Sequence, residues 1–523
     1  MTARTLAELK ALMPTGVAGG ISAGDIQDFL DTVDGLGAVS VRSHGAAGDG
    51  TTDDTAAINA ALATGKDVVL PAGTYRITNK LTMATAKQRF VGAGGTIQIR
   101  TATMATTHAL EVRAAGCTVQ GLRFENPDLL FNRTTAFGNA SCIRIFASNV
   151  RVVDNTIVSW IDGIAVDPYT GEHGGHVIAG NLLLDMLGAG LGPADTTDVN
   201  GEDRGDGIVT WGYGATIVNN CVALKAGQDG RIGIHTEALP EASPDQTPTY
   251  RDRATTIAGN VVLGHYRRGI VTETVADVSI CGNVVAGNSW WGICAITTHG
   301  VAITGNTVIF DRAATDHSGG SYSPDQAAIS TWGAVESVSI TGNTIDLSGV
   351  GRGIGTSGVD GTVRAKRYAV TGNTIRGNAA SLEGIYVGNA DGVTVTGNVI
   401  DATGSNGILV NDSTEVVVAA NTVSGTATAA GIRLENLGVA IKVGSVANNV
   451  VSGTGSDPGI LAINMAGLSV VGNAVTGTTG DGIDLFGCTY TACAYNVIRN
   501  AGGGVANGTG TGNAVAGNIT FTQ

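Results

Sequence analysis

Short runs of apolar, β-branched residues alternate with Gly and Asn over most of the chain. A unit that reads roughly V-x-I-x-G-N-x-V/I recurs with a base period of 22 to 25 residues, and three longer gaps mark insertions. Short apolar runs bounded by Gly and Asn predict β-strands and turns rather than helices. The Asn of the unit occupies these positions: Asn155, Asn181, Asn220, Asn260, Asn283, Asn306, Asn343, Asn373, Asn398, Asn421, Asn449, Asn473, Asn496 and Asn518.

Units this short cannot bury an apolar face alone, so they must stack strand on strand, about 4.8 Å apart. The repeat therefore predicts an all-β fold, a right-handed single-stranded parallel β-helix. The recurring Asn side chains are expected to form a ladder of amides that hydrogen-bond from one coil to the next. The signature of a leucine-rich repeat is absent.

The N-terminal part of the chain has a different pattern. Residues 1–36 contain two short helical patterns, over 6–13 and 23–33, and are predicted to be a leader that docks on a partner or another subunit. Residues 86–523 are predicted to form the β-helix, with insertion loops at 186–205, 238–253 and 310–326.

Between the leader and the β-helix, residues 37–85 are predicted to form an N-terminal cap. An amphipathic helix is expected over residues 55–62, with Thr52 or Asp53 as its N-cap, because a solenoid needs its open end covered. Strands are expected over residues 39–42, 68–70 and 75–77.

Composition excludes several classes of protein. Charged residues are only 14% of the chain and the net charge is −14, which works against binding to nucleic acid or to an anionic membrane surface. No apolar run approaches the length of a membrane span, and no secretory signal follows Lys10. The seven Cys include no CxxC pair, so we expect no disulfide framework, metal site or cofactor, and Cys488 and Cys493 are expected to be buried thiols.

A specific resemblance lies in the predicted cap. Gly45-Ala46-Ala47-Gly48-Asp49-Gly50, Asp53-Asp54-Thr55 and Leu70-Pro71-Ala72-Gly73-Thr74-Tyr75 together resemble the N-terminal signature of the pectate-lyase-like β-helix superfamily. That superfamily includes polygalacturonases, alginate epimerases and bacteriophage tailspikes. The leader is similar to the virion-attachment leaders of phage tail fibres and spikes. These resemblances imply a homotrimer in a phage tail, or otherwise an extracellular protein, that contacts tail or baseplate proteins through its leader.

Aligning the coils on their recurrent Gly-Ile pair locates a candidate groove. The third residue after the Gly is small or β-branched and is expected inside, so the second and fourth point outward. Exposed aromatic rings near carboxylates suit sugar binding, whereas the alternative is that the insertion loops cover the Trp rings as local core. The outward positions carry the predicted substrate-binding residues Phe146, Trp211, His235 and Trp332, with Arg268 flanking them, and the predicted catalytic residues Asp167, Glu237 and Glu273.

The carboxylates suggest glycoside hydrolysis. Glu237 and Glu273 lie on adjacent coils, about 4.8 Å apart, so one pKa should rise and provide an acid beside a base. Asp167 lies two coils from Glu237, about 9.6 Å away, so both retaining and inverting geometries are open. The alternative is that Glu273 pairs with Arg267 or Arg268 and that Glu237 lies at the rim.

A lyase or epimerase is a further alternative. Residues 166–173 are similar to the Asp-Pro-His segment of alginate epimerases, but Tyr169 stands in place of the His and Ile164 in place of a Tyr. We therefore predict a tailspike-like protein that binds a bacterial surface polysaccharide and hydrolyses it. A non-catalytic receptor-binding fibre, a structural tail fibre and a lyase or epimerase remain the alternatives.

Overall fold

The computed structural model describes residues 37–100, 108–127, 141–168, 173–186, 205–225, 229–238, 254–288, 290–310, 326–357, 364–437 and 444–521. They belong to two compact units, Met1–Leu182 and Leu183–Gln523. Parallel strands dominate both units, so the predicted parallel β-helix is confirmed. The helices predicted in the leader lie outside the described residues.

The first unit contains the only α-helix among the described residues. Its elements are β1 (Ala38–Ser40), a 3-10 helix (Val41–His44), β2 (Asp49–Asp53), α1 (Thr55–Leu62), β3 (Asp67–Ile77), β4 (Leu81–Met83), β5 (Arg89–Ile99), β6 (Leu110–Val112), β7 (Thr118–Gln120), β8 (Arg123–Glu125), β9 (Ser141–Ile145), β10 (Arg151–Val153), β11 (Thr156–Trp160), β12 (Asp162–Val166) and β13 (Val177–Ala179).

Helix α1 has the predicted bounds, and it buries Ile58, Ala61 and Leu62. The predicted N-cap is wrong, because Asp54 precedes the helix. Its carboxylate accepts hydrogen bonds from the backbone N–H groups of Ala47 and Gly48 at 2.7 and 3.1 Å. The Gly-rich motif and the acidic pair are thus one hydrogen-bonded turn.

Two of the predicted strands near the cap need correction. The strand expected over residues 39–42 ends at Ser40, because the Ser40 hydroxyl accepts from the Arg42 N–H and begins the 3-10 helix. The two strands expected over residues 68–70 and 75–77 are one strand, β3. It continues through Pro71 because an irregularity there shifts its pairing with β5.

The second unit is built from short strands in a regular order. They are β14 (Leu182–Met186), β15 (Asp206–Trp211), β16 (Thr216–Val218), β17 (Cys221–Ala223), β18 (Asp229–Glu237), β19 (Thr256–Ala258), β20 (Val261–Leu263), β21 (His265–Glu273), β22 (Ala276–Cys281), β23 (Val284–Ala286), β24 (Trp291–Ile296), β25 (His299–Thr304), β26 (Thr307–Phe310), β27 (Ala327–Trp332), β28 (Glu336–Thr341), β29 (Thr344–Leu347), β30 (Arg352–Ser357), β31 (Ala365–Thr371), β32 (Thr374–Arg376), β33 (Ile385–Gly388), β34 (Ala390–Thr396), β35 (Val399–Asp401), β36 (Ile408–Asn411), β37 (Thr414–Ala419), β38 (Thr422–Ser424), β39 (Ile432–Glu435), β40 (Gly444–Ala447), β41 (Val450–Ser452), β42 (Ile460–Ile463), β43 (Leu468–Val471), β44 (Ala474–Thr476), β45 (Asp481–Phe486), β46 (Ala492–Ala494), β47 (Val497–Arg499), β48 (Gly503–Asn507), β49 (Ala514–Ala516) and β50 (Ile519–Phe521).

From β15 onward the described strands repeat in groups of three, one group to a coil. The first strand of each coil pairs in parallel with the first strand of the next, and the second and third strands do the same. We call the row of first strands, from β15 to β48, the first ladder. The interior column predicted on it is confirmed, since Thr236, Thr272 and Thr331 are fully buried.

The predicted Asn ladder is confirmed at the turn between the second and third strands. Asn260 Nδ2 donates to Asn283 Oδ1 at 3.0 Å, and Asn283 Nδ2 donates to Asn306 Oδ1 at 2.9 Å. The same bond recurs between successive Asn as far as Asn518. Because the amides are buried, each of these bonds satisfies groups that would otherwise be costly to desolvate.

Candidate functional site

The outward column predicted on the first ladder is present in the second unit. Parallel pairing places each of its residues beside the next, so that five successive coils contribute one side chain each. Strands in a sheet lie about 4.8 Å apart, so the two Trp at the ends of the row are about 19 Å from one another. In order, the row is Trp211, Glu237, Glu273, Ile296 and Trp332.

His235 lies between the two Glu carboxylates. Its Nε2 atom is 3.8 Å from Glu237 Oε2 and 3.7 Å from Glu273 Oε2. Both separations exceed hydrogen-bond length, so Nε2 is a buried nitrogen without a hydrogen-bond partner. The imidazole is completely buried, whereas the two Glu side chains are about one-third exposed, at 35% and 32%. The pair therefore meets solvent while the histidine below it does not.

The other ring nitrogen of His235, Nδ1, is held by Asp206. His235 Nδ1 donates to Asp206 Oδ2 at 3.1 Å, and Arg231 Nη1 donates to the same oxygen at 2.9 Å. Asp206 and Arg231 come from adjacent strands, β15 and β18, and Asp206 is buried. A carboxylate that accepts from both cations fixes the plane and position of the imidazole ring.

These contacts shift the pKa values of all four groups. Burial alone would lower the pKa of His235, but the Asp206 hydrogen bond and the nearby Glu carboxylates raise it to about 9. Burial and the charge of Glu273 raise the pKa of Glu237 despite the opposing effect of His235. Burial would also raise the pKa of Glu273 and of Asp206, but His235 and the neighbouring guanidinium groups lower both. The two Glu therefore differ in acidity, since the pKa of Glu237 is raised and that of Glu273 is lowered.

The two predicted Trp differ in their contacts. Trp211 is half-buried, and its indole Nε1 donates to Glu237 Oε2 at 3.2 Å. Trp332 is 40% exposed at the end of β27. One ring therefore touches the carboxyl pair directly, and the other offers an apolar surface two coils beyond Glu273.

The outward face is more buried than the sequence pattern predicted. His235 and Ile296 were expected at exposed positions, but Ile296 is only 4% exposed and His235 is completely buried. Trp291 packs with Val271, Cys294 and Ile296 in an apolar cluster, and Trp290 packs against it. This second aromatic pair was missed because the alignment of the coils began at the Gly-Ile pair.

Arg268 immediately precedes the Gly-Ile pair of β21. It lies beside Trp291 in the register of β21 and β24. Its guanidinium group is 5.3 Å from the Trp290 ring centroid and 5.1 Å from that of Trp291, and Arg267 lies 4.7 Å from Trp290. Extending the alignment by this one position would have brought Asp206, Arg268 and Trp291 into one column.

The remaining predicted residues belong to the first unit. Asp167 was expected to present an open carboxylate, but it is buried and its Oδ1 accepts from Arg144 Nη2 at 2.9 Å. Phe146 is half-buried, with the Arg113 guanidinium group 4.4 Å from its ring centroid and His108 6.0 Å away. The ion pair with Arg144 removes Asp167 from the set of open acids.

All seven cysteines are free thiols, and Cys488 and Cys493 are buried as predicted. In the part of the chain that the structure describes, no group of three or more His, Cys, Asp and Glu could hold a metal ion. Over the same ranges, no helix is long and apolar enough to cross a membrane.

The folds of several solved structures are similar to this one. Gene product 12 of bacteriophage phi29, in its pre-mature form, has a TM-score of 0.53 at 14% identity, over 94% of this chain and 75% of that one. The Dettilon tailspike protein has a TM-score of 0.36 at 15% identity, over 97% and 71% of the two chains. A variant of the periplasmic alginate epimerase AlgG scores 0.42 at 14% identity, over 79% and 77%. At these identities the similarity concerns the fold, and among curated proteins none matches the chain.

Two family models match the sequence. The pectate-lyase-like model of rhamnogalacturonase A and epimerase matches residues 38–164, which include the Gly-rich cap motif. The model of the periplasmic copper-binding protein NosD matches residues 190–363 and 339–522, which together are more than half of the chain. The described residues do not fit a copper site, because their cysteines are dispersed and no cluster of metal-ligating side chains occurs among them. The fold is a pectate-lyase-like parallel β-helix whose residues 38–164 match that model, and by the match over residues 190–522 the chain belongs to the family of the NosD model.

Proposed function

We propose that this protein binds a bacterial surface polysaccharide along the first ladder and hydrolyses its glycosidic bonds with Glu237 and Glu273. One observation carries the proposal: two partly exposed carboxyl groups on adjacent strands flank one buried histidine, and their pKa values are shifted in opposite directions. Two carboxyl groups with opposed acidities are what acid–base hydrolysis of a glycoside requires.

Glu237 is the proposed general acid. Its raised pKa lets the carboxyl group hold its proton to higher pH than an ordinary Glu, and in the proposed step that proton passes to the glycosidic oxygen as the bond from the anomeric carbon to this oxygen breaks. Glu273, whose pKa is lowered, either attacks the anomeric carbon or takes a proton from the water that does so. In either route one water is consumed and each cleavage leaves one new reducing end.

The separation of the carboxyl groups leaves the stereochemical route open. Glu237 Oε2 and Glu273 Oε2 are no farther apart than the sum of their distances to His235 Nε2. That limit admits both the separation of about 5 Å in retaining enzymes and the short end of the inverting range, roughly 6.5–9.5 Å. The anomeric configuration of the first product, followed by NMR, distinguishes the two.

The aromatic rings at the two ends of the row support a chain-like substrate. Trp211 and Trp332 are partly exposed on the same outward column, with the carboxyl pair between them. Aromatic faces stack on the apolar faces of sugar rings, so a glycan that spans both Trp crosses the carboxyl groups. The fold similarity to the phi29 gene product and the predicted attachment leader support a setting in a phage tail.

The test is the release of reducing ends from purified surface polysaccharide of a host bacterium. The wild type should release them, and Glu237→Gln and Glu273→Gln should each lower turnover about 10²-fold or more. The matched control is Glu415→Gln, because Glu415 is exposed at the second residue of β37, away from the first ladder. The control should keep full activity.

Other outcomes point to the alternative functions. An unsaturated uronate product instead of hydrolysis indicates a lyase, and altered uronate configuration without cleavage indicates an epimerase. Binding without any change in the glycan indicates a receptor-binding fibre, with the carboxylates serving as hydroxyl ligands. Full activity in both Gln variants contradicts the assignment of the acid and the base.

A further inference from the structure

Below the carboxyl pair lies a row of buried charged groups that the hydrolysis step does not itself use. Arg231 contacts Asp206, Asp206 contacts His235, and His235 faces both Glu. The first three side chains are at most 13% exposed, and the histidine is completely buried. A glycan on the surface therefore meets Glu237 and Glu273 but not the groups beneath them.

We propose that His235 is a positioning residue: Asp206, itself held in place by Arg231, keeps it as an imidazolium beneath the carboxyl pair, and it keeps Glu273 ionised beside a protonated Glu237. This inference rests on the proposed function and deepens it. His235 donates to Asp206 through Nδ1, so Nε2 is directed to the two Glu, at nearly equal distances of 3.8 and 3.7 Å.

The surroundings of the ring favour one charge state. Its neighbours in the strand register are Val209 and Val271, both buried and apolar, so no side chain on either flank competes for the ring nitrogens. Three carboxyl groups face the imidazole, those of Asp206, Glu237 and Glu273. A neutral ring has one N–H and can direct it either to Asp206 or toward the Glu pair, whereas an imidazolium directs an N–H to each side.

The cations around His235 and the two Glu determine which of the two carboxyl groups ionises. Arg231 lies on the Asp206 side, and Arg268 lowers the pKa of Glu273 from β21. Two further titratable groups lie nearby, the Cys294 thiol of β24 and the Tyr266 hydroxyl of β21, and burial raises the pKa of both, so they stay neutral. His235, Arg268 and Arg231 therefore all lower the pKa of Glu273, whereas burial and the charge of Glu273 raise that of Glu237.

The first test does not depend on activity. NMR titration of the imidazole side chains should show one histidine that stays doubly protonated until about pH 9, and its signal should be missing from His235→Gln. In Asp206→Asn, which keeps the volume of the side chain, the same histidine should titrate near neutral pH or below. His265→Gln is the matched control, since His265 is exposed at the start of β21.

The second test measures the effect of His235 on the two Glu through the kinetics of hydrolysis. His235→Gln should lower kcat on the order of 10- to 100-fold with little change in KM. The acidic limb of its kcat/KM profile should move to higher pH by about one unit or more, because Glu273 loses a nearby opposite charge. If His235 had only a structural role, His235→Gln would lower the stability of the protein without moving the acidic limb of the kcat/KM profile.

The outcomes separate this inference from the proposed function. A wild-type His235 that titrates at or below pH 7 overturns the inference, whatever the activity. An unchanged acidic limb in a folded His235→Gln variant overturns it as well. If His235 titrates near pH 9 but the wild type cleaves no glycan, the proposed hydrolysis fails and the buried imidazolium stands.

Discussion

The indole of Trp211 connects the aromatic edge of the site to its proposed acid. Trp211 Nε1 donates to Glu237 Oε2 at 3.2 Å, on the same carboxyl group that burial makes a weaker acid. A hydrogen bond to the ionised form of a carboxyl group lowers its pKa, so the indole opposes the effect of burial. The ring thus has two proposed roles, as a surface for sugar and as a limit on how far the pKa of Glu237 rises.

Trp211→Phe separates these two roles. Phe keeps an aromatic face but has no N–H, so the pKa of Glu237 should rise further. The alkaline limb of the kcat/KM profile, where the acid loses its proton, should move to higher pH with little change in glycan affinity. Trp211→Ala should weaken binding as well, because it also removes the ring. An alkaline limb that stays in place or moves to lower pH in Trp211→Phe contradicts the role of Glu237 as the acid.

The row of Trp211, Glu237, Glu273 and Trp332 could be predicted because strand alternation and the Gly-Ile repeat fix a column by counting. The burial of His235 could not, because it depends on how far neighbouring side chains reach across the sheet. Asp206 was not predicted either, because it is the first residue of β15, one position before the Gly-Ile pair at which the count begins. Its partner Arg231 was missed for the same reason, since neither residue lies in the counted column.

At the scale of the coil, two recurring residues maintain the stacking: the Asn of the turn and the Gly of the first strand. Asn306 Oδ1 accepts from both the backbone N and Nδ2 of Asn283, and Asn306 Nδ2 donates to Asn343 Oδ1. Each Asn therefore bonds in both directions along the ladder. The sequence predicts this ladder because a polar residue that recurs in every coil must meet its own copies.

Asn306→Ala should destabilise the protein by about 2–4 kcal/mol, because it leaves two donors of Asn283 buried without an acceptor. The measurement is the free energy of unfolding in urea, followed by circular dichroism. Thr307→Ala is the control, since Thr307 is exposed on the neighbouring position and should cost less than about 1 kcal/mol. Equal losses in the two variants would contradict a structural role for the ladder.

The structure explains why Gly recurs in the Gly-Ile pair, which the sequence pattern alone did not. A Cβ at Gly407 would lie 2.2 Å from Val423 Cγ1 and 2.7 Å from the Gly431 carbonyl oxygen. The same contact with a Val of the third strand occurs at Gly233 and Gly269. Close packing against that Val, rather than backbone conformation, therefore requires Gly here.

Gly407→Ala should cost roughly 1–3 kcal/mol through overpacking. Gly355 provides a matched control on the first ladder, because a Cβ there would meet its nearest atoms at 3.5 and 3.6 Å, which is ordinary contact. Gly355→Ala should therefore be tolerated. Thermal unfolding of both variants tests the difference. If Gly407→Ala is as stable as the wild type, the backbone can shift to accommodate the Cβ, and the predicted overpacking is wrong.

For the molecule as a whole, the charge of the site differs from that of the chain. The net charge is −14, yet three cationic side chains lower the pKa of Glu273, namely Arg231, His235 and Arg268. The composition could not show this local group of cations, because the stacking of two adjacent coils brings β18 and β21 together. The predicted homotrimer and the attachment through residues 1–36 stay predictions, since that leader lies outside the described residues.

The buried imidazolium also makes the stability of the whole fold depend on pH. The pKa of His235 is about 9 in the folded protein, above its ordinary value of 6.5. Below pH 6.5 the folded and unfolded states both carry the proton, so the stabilisation is fully present. As the pH rises toward 9 the unfolded state binds fewer protons than the folded state, so the free energy of unfolding must fall. The raised pKa of Glu237 acts in the same direction in its own range, just above its ordinary value of 4.5.

Urea unfolding between pH 6.5 and pH 9, followed by tryptophan fluorescence, measures this loss. The wild type should lose stability more steeply than His235→Gln, which has no imidazole to titrate. Three other buried or half-buried histidines do not obscure the window, because burial lowers the pKa of His108, His173 and His176 and moves their titration below pH 6.5. These three histidines have the opposite effect on stability. As the pH falls, each buried ring must take a proton, and the free energy of unfolding of the protein decreases. Parallel curves for the wild type and His235→Gln above pH 6.5 would mean that His235 is neutral in the folded protein, and that the charge of Glu273 has another source.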